Sequence, residues 1–149
     1  MGTRAQVIIK TNEDYVKYYH HWDGDIGQLG MYLASQLYVT YWKYPCWRYN
    51  ADYTIKKFIE NLDSLPEFEK EDEWCTHIDA EYLYYIKPHI VNNEEIYDVF
   101  YCKLAHTGDL LMGPESKAFR ERGIKAAIME DKFKDLLEIT VERNSIVSI

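Results

Sequence analysis

"YVKYYHHWDGDIGQLG", residues 15–30, changes its periodicity half-way along, and the reading of the fold turns on that change. Over residues 15–23 aromatic and polar side chains alternate, which predicts a β-strand. Val16, Tyr18, His20 and Trp22 then share one face, and Tyr15, Lys17, Tyr19, His21 and Asp23 share the other. The first face reads as core. The second is amphipathic, suited to lining a pocket or meeting a partner. From Ile26 the spacing becomes helical, with Ile26, Leu29, Leu33, Leu37 and Tyr41 in one stripe that runs to about Tyr44. Between strand and helix lies a corner holding Gly24, Gly27 and Gly30, with Asp23 or Asp25 placed to cap the helix.

Working outward, "RAQVIIK" (4–10) is a β-branched run, and "TNED" supplies the turn into the strand just described, a first β-hairpin. Downstream, Pro45 ends the helix because proline cannot continue its hydrogen-bond ladder. Asn50 or Asp52 caps a second helix with Ile55, Phe58, Ile59 and Leu62 inward. "EFEKEDE" (67–73) reads as a charged, solvated connector. "HIDAEYLYYIK" (77–87) and "EIYDVFYCKL" (95–104) alternate again, joined by a segment with Pro88 and the turn-forming pair Asn92-Asn93, a second hairpin. "HTGDLLMGPE" (106–115) reads as a loop, Pro114 opens a short helix that Gly123 ends, and residues 124–144 read as a further helix. That helix would set Ile128, Phe133, Leu136, Leu137 and Val141 on one side. The order ββααββαα predicts an α+β fold: an antiparallel sheet built from two β-hairpins, with helices packed on one face.

The totals bound the function. A chain of 149 residues fits one domain over 1–149, and a domain of that size buries about 68–70% of its unfolded surface without a disulfide or metal staple. A net charge of −8, with its seventeen Lys and Arg scattered, excludes a general binder of nucleic-acid backbones. Three cysteines, Cys46, Cys75 and Cys102, fit no zinc spacing and read as buried, reduced thiols. No signal sequence, membrane-spanning run or myristoylation motif is present, so a cytoplasmic protein without membrane association is expected. The unusual quantity is fourteen tyrosines and four tryptophans. Rings with polar handles suit ligand pockets and oligomer interfaces, and a homo-oligomer is expected.

Three readings compete for the corner at residues 20–30. The structural reading is that the glycines let the chain leave a strand, turn, and bring a helix close to the sheet. The anion reading uses the free amides of a helix start, with Arg4 supplying charge, although the glycine spacing matches neither the dinucleotide fingerprint nor a P-loop. The metal reading notes that His21 and Asp23 point the same way on a strand and that His77 and Asp79 repeat the pattern. If those strands were neighbours, four ligands would converge. His106 with Asp109 is a further pair in a loop. No nucleophile signature is present, so no catalytic residue and no cofactor is assigned.

"GTRA" at residues 2–5 and "HWDG" at 21–24 resemble a group of small phage and prophage proteins. Those open on Gly/Ser-Thr-Arg-Ala/Ser and carry a strand ending in His-Trp-Asp-Gly-Tyr-Pro before a helix start. This chain has Asp25-Ile26 where Tyr-Pro stands in the group. The resemblance covers about the first thirty residues and marks Thr3, Arg4, His21, Trp22, Asp23 and Gly24 as positions of interest. It implies an accessory protein of the host cytoplasm that binds a host component or a signalling nucleotide. The resulting expectation is a non-catalytic protein binding a small polar, nucleotide-like ligand through Thr3, Arg4, Tyr19, His21, Trp22, Asp23, Gly24 and Gly27. The alternatives are a metal-assisted hydrolase using the His/Asp pairs, and a protein-interaction module acting through aromatic surfaces.

Overall fold

A computed structural model of the chain describes residues 3–44, 51–72, 80–103, 128 and 133–136. Among the described residues six strands form one sheet: β1 (Arg4–Lys10), β2 (Tyr15–His20), β3 (Phe68–Glu71), β4 (Ala80–Val91), β5 (Glu94–Lys103) and β6 (Lys134–Asp135). Their spatial order is β3-β2-β1-β4-β5-β6. Two helices, α1 (Met31–Lys43) and α2 (Ala51–Asp63), lie between β2 and β3 in the chain. The architecture is α+β, and among the described residues no helix is long and apolar enough to cross a membrane.

The sheet is mixed, which corrects the expectation of a purely antiparallel one. β1 pairs antiparallel with β2, Ile8 opposite Lys17, but parallel with β4, Ile8 opposite Tyr85. Turn residues dictate only pairings between strands that are close in the chain. The β1–β4 pairing instead closes a crossover that carries both helices, the kind of connection a parallel pair needs. Burial explains the position of β1. Five consecutive residues, Ala5 to Ile9, are buried, so both of its faces are covered, as in a central strand.

One face carries the main core. Ala5, Val7, Ile9, Tyr18, Tyr84, Ile86, Val99 and Tyr101 meet Leu29, Leu33, Leu37, Ile55, Phe58 and Leu62 from the helical side. On the opposite face Ile8, Leu83, Tyr85 and Phe100 gather around Phe133. Phe133 and Leu136 therefore enter different clusters, on opposite faces of the sheet. A helix would set residues three apart on one side. The expected helix over 124–144 is accordingly interrupted by β6, where Lys134 and Asp135 pair with Tyr101 and Phe100.

"EFEKEDE" also differs from its reading as a connector. Phe68 to Glu71 pair with β2 as an edge strand, Phe68 inward and Glu69 and Lys70 exposed, so the charges that mimic a loop are those of a protected sheet edge. β4 continues past Lys87 to Val91 and turns at Asn92-Asn93, which have φ of 50° and 67°. Two left-handed residues make the turn that matches the strands' twist. Pro88 is tolerated because β1 pairs with β4 only as far as Ile86.

Candidate functional site

The corner after β2 is built by backbone bonds. The Gly24 amide donates to the Thr3 carbonyl at 2.7 Å, and the buried Tyr84 hydroxyl donates to the Gly24 carbonyl at 2.7 Å. A Cβ on Gly24 would stand 2.7 Å from the Ala5 Cβ and 2.8 Å from the Thr3 oxygen, so only glycine fits. Asp23, with φ of 54°, swings the chain out of the strand. A wide π-turn over Ile26–Gly30 then precedes α1, with Gly30 against the Tyr84 ring. "TRA" and "HWDG" thus meet as one clamp.

The same bonds bear on the anion reading. The amides of Gln28 and Gly30 donate to the Asp25 carbonyl, and that of Leu29 to the Asp23 carbonyl. These donors are spent on the chain itself. Neither does the Asp25 side chain cap the turn, contrary to the capping expected of it.

The expected site residues divide between the two faces of the sheet. On the face away from the helices, Arg4 Nη2 lies 3.4 Å from His21 Nε2, and the Tyr19 hydroxyl 3.0 Å from His21 Nδ1. A guanidinium can only donate, so Nε2 accepts and the Nδ1 proton goes to the Tyr19 oxygen. Trp22 stands edge-on to His21 at 4.6 Å and is 56% exposed. Thr3 contributes its carbonyl, and Gly27 is exposed on the turn.

Asp23 goes to the helical face. There it lines a hollow of about 180 Å³ with His20, Gln28, Leu29, Tyr32, Glu67 and Phe68. With its amide nitrogen turned toward Asp23, Gln28 donates to both carboxylate oxygens at 3.2 and 3.3 Å. His21 and Asp23 therefore serve different surroundings. His77, Asp79, His106 and Asp109 lie outside the described residues, as do Cys46 and Cys75.

His20 is the side chain that the sequence reading assigned only to the core. It is 8% exposed and lines the hollow, and its Nδ1 is buried without a hydrogen bond. Its ring lies 4.8 Å from that of Phe68, which stacks on Tyr32 at 6.1 Å and 27°. Burial pushes the His20 imidazole below its ordinary pKa, against the opposing pull of the Trp22 backbone, Glu67 and Asp23. Burial and the charge of Glu67 push the Tyr32 hydroxyl up. A neutral ring beside two carboxylates and two aromatic faces suits a small ligand that donates hydrogen bonds. Glu67 and Phe68 were missed because their segment was read as solvated; the inward phase of Phe68 among charges was the available signal.

A second hollow, of about 450 Å³, has Ile26, Tyr82, Tyr101, Lys103 and Lys134 in its lining. Compared with known families, with curated proteins and with solved structures, the chain matches none.

Proposed function

We propose that this is a non-catalytic binding protein that holds a small polar ligand beside the glycine corner, in the hollow between β2, the π-turn and β3. The observation that carries this reading is that His20, whose Nδ1 is buried without a hydrogen bond, lines this hollow. A buried polar atom without a partner costs about 1–3 kcal/mol, and a ligand donor placed there would recover it. With the ring proton on Nε2, Nδ1 offers a lone pair to that donor, while Phe68 and Tyr32 give a flat ring a surface. Asp23 and Glu67 favour a cationic or donor-rich molecule and repel phosphate, which narrows the nucleotide-like expectation toward an amine- or amidine-bearing ring. A phosphate-bearing ligand would find its complement in the other hollow, beside Lys103 and Lys134. An accessory role of phage type rests on the clamp formed by Thr3, Arg4, His21 and Gly24.

The test is thermal stabilisation across two panels, one of small aromatic amines and amidines, one of nucleotides. The expected result is a shift with an amine or amidine that His20→Phe removes. Shifts only with nucleotides, removed by Lys103→Glu, would move the site to the other hollow; no shift with either panel would overturn the reading.

A second reading is a protein-interaction module, favoured by the outer side of α1. Tyr38 and Trp42 are 63% and 67% exposed there, ring edge to ring face at 6.1 Å, with Val39 beside them. Exposed rings one turn apart suit a partner chain, including a second copy of this one. Mass measurement in solution checks it: an oligomer that Trp42→Ser dissociates supports this reading, and a concentration-independent monomer removes the homo-oligomer.

A further inference from the structure

Far from the glycine corner, β4, β5 and β6 bring together three side chains that the sequence reading did not connect. His89, Asp98 and Asp135 lie on adjacent strands, and one ligand atom of each lies within 4.8 Å of the other two. The register makes this possible. Asp98 faces Lys87 and Asp135 faces Phe100, so the three side chains run diagonally across the face away from the helices. His89 Nε2 is 3.4 Å from Asp98 Oδ2.

The cluster is set up in advance. Asp98 is 8% exposed, and its Oδ1 accepts the Val99 amide at 2.8 Å, which leaves Oδ2 for His89. The His89 ring stands edge-on to Phe100 at 5.5 Å and 88°. Although it lies this close to Asp98, His89 Nε2 is buried and makes no hydrogen bond. Two carboxylates in a partly dry place repel each other unless a cation lies between them. The nearby ammonium of Lys87 sits over the Phe100 ring, 4.7 Å from its centre.

We propose that His89, Asp98 and Asp135 bind a single divalent transition-metal cation of the zinc or manganese type. An imidazole nitrogen disfavours magnesium and calcium, and carboxylate oxygens disfavour soft monovalent copper. A tetrahedral site with bonds of about 2.0–2.1 Å has edges of about 3.3 Å, which the His89–Asp98 separation already meets. The Asp135 carboxylate, within 4.8 Å of the other two ligand atoms, supplies the third ligand. Three protein ligands leave a position for water, and the Val99 amide holds Asp98 as an outer-shell partner does in metal sites. Binding would fasten the two-residue β6 to the body of the sheet.

The experiment is calorimetric titration of chelator-treated full-length protein with zinc, manganese and magnesium chlorides. The expected result is saturable binding of one equivalent of zinc or manganese, without comparable binding of magnesium. Affinity should fall at least about tenfold in both His89→Ala and Asp135→Asn. The control Glu60→Gln, an exposed carboxylate on α2 at the other face of the sheet, should bind as the parent does, and circular dichroism confirms that each variant is folded. Asp135→Asn keeps the side-chain size, so it reads the ligand even where His89→Ala loosens the strand end. Absence of saturable binding up to about 1 mM zinc or manganese, an affinity in both variants equal to the parent's, or a preference for magnesium overturns the assignment.

Discussion

Gly24 shows how much one missing atom can decide. Its Cβ position is filled by the Ala5 side chain and the Thr3 carbonyl, one of them backbone that cannot give way. Gly24→Ala should lower unfolding free energy by about 1–3 kcal/mol or more, read as the midpoint of urea denaturation. Tyr84→Phe tests the same corner from the sheet. The ring stays, but the buried Gly24 carbonyl loses its donor, and a loss of about 1–3 kcal/mol is expected in the same assay. Equal stability of either variant and the parent would remove the corner from the account of the fold. His20 makes a prediction in pH. Its folded pKa is lowered, so the neutral ring favours the native state: the contribution is full above about pH 6.5 and is lost as pH falls through the lowered value. His20→Gln should flatten that part of the acid limb, monitored by thermal melts across the pH range.

At the scale of elements, the Asn92-Asn93 turn gives the clearest local test. Both residues sit at positive φ, where a side chain without local hydrogen-bonding costs about 1–2 kcal/mol. Asn93→Gly should hold or raise the melting temperature, and Asn93→Ala should lower it; the reverse order would mean that the turn does not set the register. This turn was legible because its chemistry is confined to two adjacent residues. The inward stripe that runs from the π-turn into α1 was legible for a similar reason, since Leu29, Leu33 and Leu37 report one face at helical spacing. The charged edge strand was not, because Glu69, Lys70 and Glu71 satisfy solvent whether they lie in a loop or on a sheet edge. Nor was the break before Leu136, where helical spacing imitates a chain that crosses from one sheet face to the other. The candidate site was half visible. The pairing of Arg4 with His21 follows from alternation, whereas the departure of Asp23 to the other face depends on a single left-handed residue.

For the whole molecule, the decisive feature is which strand occupies the middle. Tyr18 ties the sheet to the end of α2, its hydroxyl donating to Asp63 at 2.6 Å, while Lys70 of β3 meets the other carboxylate oxygen at 3.4 Å. Tyr18→Phe should therefore loosen α2 and β3 together, seen as faster amide exchange in both, and a change confined to β2 would count against that coupling. The parallel contact between β1 and β4 has a consequence for assembly in time. Arg4 meets Ala80 across a large chain separation, whereas Ile8 meets Lys17 close by. Closing so long a loop is slow, so the β4 side of β1 stays an open seam while nearby turns are already made. An open seam is adhesive, and refolding at high concentration should lose material to aggregates that crossing β1 against its neighbour's copy would create.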